Sequence, residues 1–128
     1  MTEPMTKEQQ AEILAELAVL YGQKAQKATD PIDQASLIAF GQSVIWAFLE
    51  SDMLSIAPEQ QTEKVKQNFI DIVLKNVRKC LSEISASWDE VPTQLLLEAF
   101  GKDLQEEYIL DILTQVQMKM LNPGTTLH

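Results

Sequence analysis

Residues 30–56 read DPIDQASLIAFGQSVIWAFLESDMLSI. Asp30 is a good N-cap, and Pro31 fills the first helical position, where a missing N–H costs nothing. A helix is therefore predicted from Pro31, running on to Ile56. At about 100° per residue, Leu37, Ile38, Phe40, Gly41, Val44, Ile45, Phe48 and Leu49 share one broad face. Trp46 and Met53 widen that face, and Ser36, Ser43 and Glu50 mark a narrow stripe for solvent. A helix this apolar on nearly all sides is predicted to lie buried among several neighbours. Ala35, Ala39, Gly41 and Ala47 would let one of those neighbours approach closely. Polar residues interrupt the run, so a membrane span is not expected.

Working outward, residues 6–9 read T-K-E-Q, a capping-box pattern at the start of a preceding helix. Ile13, Leu14, Leu17, Leu20 and Tyr21 follow at helical spacing, with Glu8, Glu12 and Glu16 on the other side. Lys24 and Lys27 suit a C-terminal end near Ala28. On the far side of the central helix, Pro58 is predicted to open a long amphipathic helix reaching about Ser85. Its apolar arc holds Val65, Phe69, Ile70, Ile72, Val73, Val77, Cys80, Leu81 and Ile84. Residues 87–92 read as a loop, 92–100 as a short helix ended by Gly101, and 103–121 as a last helix stopped by Asn122-Pro123-Gly124. The expected architecture is all-α, a compact bundle of four long helices plus one short helix. Residues 6–122 would form a single domain, with flexible ends at 1–5 and 123–128.

Composition narrows the function. The 128 residues are 45% hydrophobic and carry a formal charge of −9. So acidic a chain is not suited to gripping nucleic acid or an anionic membrane. The charge is uneven. Residues 1–54 hold eight acids and three bases (net −5), 55–80 hold three acids and five bases (net +2), and 81–128 hold eight acids and two bases (net −6). Cys80 is the only cysteine, which rules out an internal disulfide, and its place in an apolar arc favours a core thiol over a reactive one. The polar first ten residues do not read as an export leader, so a cytoplasmic setting is expected.

Catalytic signals are absent. The one histidine, His128, has no base or ligand partner in sequence, and no glycine-rich phosphate loop occurs. Catalytic residues, metals and cofactors are accordingly not expected. The one route left to a small ligand or Mg-nucleotide is through interhelical carboxylates: Glu12 with Glu16, and Glu106 or Glu107 with Asp111. These pairs sit four or five residues apart, on or near one helix face.

Apolar surface in excess of what one small core can cover is the stronger signal. Trp46 and Met53 extend the central helix's face, Trp88 and Leu95-Leu96-Leu97 sit in or beside a loop, and Leu110, Met118 and Leu121 lie off the last helix's main stripe. Exposed apolar groups of this kind mark contact sites. The sequence thus points to a non-enzymatic protein–protein interaction protein, such as an adaptor, assembly chaperone or inhibitor. It would act through its second and last helices on another protein, and as a homodimer.

Overall fold

In the computed structural model, residues 5–87 and 102–128 are described. Four α-helices run through them: α1 (Lys7–Lys27), α2 (Pro31–Glu50), α3 (Glu63–Ser87) and α4 (Lys102–Leu121), with two 3-10 turns between α2 and α3. No strand occurs among the described residues. The fold is all-α. The short helix expected over 92–100 lies outside the described residues, as do Trp88 and the three leucines at 95–97.

Local chemistry sets most of the ends. Thr6 opens α1 with a reciprocal pair: its hydroxyl accepts the Gln9 N–H at 3.1 Å, and the Gln9 carbonyl oxygen accepts the Thr6 N–H at 3.0 Å. Two otherwise orphaned donors are satisfied in this way. At the start of α2, the Gln34 N–H bonds the Asp30 carbonyl at 3.0 Å, so the helix begins at Pro31 as the sequence predicts. It does not reach Ile56. Asp52 takes a left-handed conformation (φ 55°), a region that Asp tolerates better than most residues, and α2 stops at Glu50. Ser55 braces the bend by giving its hydroxyl to the Asp52 carboxylate at 2.9 Å. The bend turns Met53 and Leu54 into the core.

Pro58 opens a separate 3-10 turn, Pro58–Gln60, instead of α3. The helix starts five residues later because Thr62 caps it, accepting the Val65 N–H on its hydroxyl at 3.3 Å. Between them, Gln61 is buried and its amide is fully used. Its NH2 bonds the carbonyls of Ile56 (3.0 Å) and Met53 (3.4 Å), and its oxygen accepts from the Gln117 amide of α4. A buried side-chain amide is tolerated where its donors and acceptor find partners, and here it ties the α2–α3 connection to α4.

The contacts give the helix directions. Ser43 and Phe48 of α2 face Cys80 and Phe69 of α3 (3.9 Å, and 4.6 Å between rings), so these two helices are antiparallel. Gln10 of α1 reaches Ser55 just beyond α2, and Glu16 of α1 pairs with Lys119 of α4. α1 is therefore antiparallel to both α2 and α4, an up-down-up-down bundle. One continuous core joins Ile13 and Leu17, Phe40 and Phe48, Phe69 and Val73, and Ile112 and Val116. The residues after α4, expected to hang free, instead lie along α1 and α4. Leu127 is buried, its N–H bonds the Glu16 carboxylate at 2.9 Å, and the His128 N–H bonds the Gln115 side chain at 2.7 Å.

Candidate interaction surface

α2 is gripped from two sides, and that grip decides which of its residues meet water. On one side Gly41 lies against Tyr21 of α1. On another Ser43 approaches Cys80 of α3. Phe40, on the inner side, meets Tyr108 of α4 edge-to-face at 6.3 Å. What is left outward is a stripe of Ile38, Gln42, Trp46 and Leu49 with Ile45 at its edge, positions one helical step apart. Trp46 is 57% exposed, Leu49 53% and Ile38 42%. Val19 of α1 is also exposed, and Ala18 and Gly22 line a shallow groove with Ile38, Gln42 and Ile45. No charged side chain belongs to this stripe.

Two of the three residues of the predicted solvent stripe, Ser36 and Ser43, are therefore turned inward, while Glu50 is exposed as expected. Ser43 is fully buried and Ser36 nearly so, while Ile38 and Leu49, assigned to the core face, are exposed. Burying Ser43 is cheap because its hydroxyl bonds the Ala39 carbonyl at 2.6 Å inside its own helix. Small residues are also what close helix approach demands. The overlooked signal is Gln42, the one large polar residue in the middle of α2, which marks the outward direction.

Of the side chains singled out as partner-binding, Trp46, Leu110, Met118 and Leu121 are exposed. Met53 is not: it is 0% exposed, a core residue placed by the bend at Asp52, and it leaves the set. Trp88 lies outside the described residues. The remaining four divide between two helices: Trp46 is on α2, and Leu110, Met118 and Leu121 are on α4, where Leu121 lines a groove against the start of α1.

The carboxylate pairs are separated as well. Glu12 and Glu16 line a groove between the start of α1 and the end of α4, where Glu16 meets Lys119 at 2.6 Å. The Lys119 hydrogen bond holds the Glu16 carboxyl below the usual carboxylate range. Partial burial opposes that shift, and the Leu127 amide and the lysine's charge add to it. Asp111 lines a different cavity, beside Tyr21. Among the described residues no three of His, Cys, Asp and Glu gather closely enough to hold a metal ion, and no helix is long and apolar enough to cross a membrane. Cys80 is half-buried with its sulfur 3.9 Å from the Ser43 hydroxyl and from the Gln42 side-chain oxygen. Comparison with protein-family models, with curated proteins and with solved structures finds no match for this chain.

Proposed function

We propose that the protein works by binding another protein through the outer face of α2, without catalysis. The contact would be made by Ile38, Ile45, Trp46 and Leu49, with Ala18 and Gly22 of α1 beside them. The observation that carries this reading is the exposure of Trp46 and Leu49, each more than half open, on an uncharged stripe of an otherwise acidic chain. A buried Trp anchors interfaces well, because it removes a large apolar area from water and brings few rotatable bonds to freeze. The stripe repeats at helical spacing, which suits packing against a second helix.

A second copy of the chain is the partner that best fits. The stripe carries no charge, so two molecules of net −9 can bring these faces together while their acidic groups stay outside the contact. An adaptor, assembly chaperone or inhibitor role would use the same face. Native mass spectrometry and sedimentation over a range of concentrations test the reading. The wild-type chain is expected to form a dimer, and Trp46→Glu and Leu49→Glu are expected to abolish it with helicity unchanged. Dimers that survive both substitutions, or a wild-type chain that stays monomeric throughout, would remove the homodimer. Unfolding by either substitution would show that these residues serve the core.

A further inference from the structure

A cavity of about 410 Å3 opens on another part of the molecule, between the end of α1, the start of α2 and α4. Its size suits a small organic ligand. Three aromatic rings form one wall in a graded series: Tyr21 meets Phe40 at 5.3 Å, and Phe40 meets Tyr108 at 6.3 Å, both edge-to-face. Tyr21 and Phe40 belong to the core, while Tyr108 is exposed at the mouth.

The polar groups around these rings are under-used. Asp33 of α2 and Asp111 of α4 both line the cavity together with Lys24 and His128, and among the described residues neither carboxylate forms an ion pair. Among the described residues Asp111 accepts only the Gln115 amide, at 2.9 Å on one oxygen. Ser36 stands in the same wall, 7% exposed, and its hydroxyl has no hydrogen-bond partner. The other two serines within or just beyond this helix behave differently: Ser43 and Ser51 each give their hydroxyl to the carbonyl four residues earlier. A buried hydroxyl left unpaired is costly, so one at a cavity wall calls for a group that completes it.

The charges decide what kind of group. The lining holds two carboxylates, Asp33 and Asp111, against one lysine amine, with His128 beside them, on a chain of net −9, so the cavity favours a cation. The rings favour the same thing. The Lys24 ammonium lies 5.3 Å from the centre of the Tyr21 ring, so this wall already accommodates a charged amine. We propose that this cavity is a binding site for a small organic ammonium ion with an aromatic or other apolar body. Its amine is held by the Asp33 and Asp111 carboxylates, its body lies against Phe40 and Tyr108, and a further polar atom reaches the Ser36 hydroxyl. Lys24 competes for the ring wall and sets the affinity of the empty site. This site is independent of the α2 outer face, so either can fail alone.

The test is isothermal titration calorimetry of the full chain at low ionic strength with tyramine, with 2-phenylethanol as the uncharged comparison and 4-hydroxyphenylacetate as the anionic one. Tyramine is expected to bind with a Kd of about 1 mM or tighter, a modest requirement for a ligand of its size. The alcohol and the acid are expected to bind at least tenfold more weakly. Asp111→Asn should weaken tyramine by about tenfold, and Lys24→Met should strengthen it, with unchanged helicity in both. Ser36→Ala should also weaken it. No heat from tyramine, binding of the acid as tight as that of the amine, or an Asp111→Asn variant that binds tyramine as the wild type does would each overturn the assignment.

Discussion

Gly41 of α2 and Tyr21 of α1 meet with no room for a methyl group between them: a Cβ on Gly41 would lie 2.6 Å from the Tyr21 Cβ. That contact fixes how closely the first two helices approach, and with it which side of α2 is turned outward. Gly22 of α1 is the useful contrast, since a Cβ there would meet nothing within 4 Å. Both glycines lie inside helices, where replacement by Ala ordinarily stabilises by about 0.5–1 kcal/mol. Gly22→Ala is expected to show that gain. Gly41→Ala is expected to lose about 1–3 kcal/mol, because overpacking against an immovable Cβ outweighs helix propensity. Urea unfolding followed by circular dichroism reads both, and stabilisation by both would mean that α1 and α2 stand further apart than this.

Met53 and Trp46 are separated by seven residues and by the whole depth of the surface. Met53→Ala removes a fully buried side chain and should cost about 2–5 kcal/mol. Trp46→Glu, more than half exposed, should change the stability of the monomer by no more than about 0.5 kcal/mol. The same urea experiment, run below any association threshold, separates them. Equal losses would mean that Trp46 is packed.

The residues after α4 are held by Glu16, whose carboxylate takes both Lys119 and the Leu127 amide. Its folded-state carboxyl is held below the ordinary range, so it contributes stability that is present above the unfolded-state value and lost as pH falls through the folded-state one. Stability should therefore decline in acid over the carboxylate range, and Glu16→Gln should flatten part of that decline. Hydrogen exchange at the Leu127 and His128 amides should speed up in the same variant. Leu127→Ala should cost about 2 kcal/mol, near the low end for a buried leucine, because a chain end relaxes into the space. Exchange at these amides that is fast in the wild type and unchanged in Glu16→Gln would show that the tail is not docked.

Tyr21 supplies the opposite limb of the pH profile. Burial pushes its hydroxyl well above the ordinary phenol value of 10, and the Asp111 carboxylate adds to the shift. The sign follows: its contribution is complete below the unfolded-state value and is lost as pH rises towards the folded-state one, because the unfolded chain gives up the proton more easily. In an alkaline titration, the ultraviolet signal of the Tyr21 phenolate should appear together with loss of helicity. Tyr21→Phe should remove that part of the alkaline decline. Ionisation of Tyr21 while the helices persist would mean that water reaches its hydroxyl.

Much of the framework was legible from residue chemistry. The Thr6–Gln9 capping box and Asp30 before Pro31 both describe what the first four residues of a helix need, and both helices start where these residues put them. The apolar arc of α3 is equally plain, since its two sides differ strongly, and Phe69, Val73, Val77 and Leu81 are buried as expected. Two junctions were not legible. Asp52 can continue a helix or leave it, and only the pull of Met53 and Leu54 into the core selects the left-handed turn. Pro58 is compatible with the first turn of a long helix, but Gln61 is occupied in bonding the connection to Gln117, so the helix waits for Thr62.

The candidate sites divide in the same way. The sequence by itself determined the class of the fold, the starts of α1 and α2, and the excess of apolar side chains, because capping and hydrophobic periodicity act within a few residues of one another. It singled out Trp46, Met53, Leu110, Met118 and Leu121 alike, of which Met53 is buried and the other four are exposed. It could not choose the outward side of α2, because that helix is apolar nearly all round and its periodicity points in no single direction. Tertiary packing made that choice: neighbours came closest where Gly41 and Ser43 leave room, the serines turned inward, and Ile38, Trp46 and Leu49 were left facing water. The meeting of Tyr21, Phe40 and Tyr108 beside Asp33, Ser36 and Asp111 was likewise decided only in three dimensions, since it joins residues from three helices that no local rule connects.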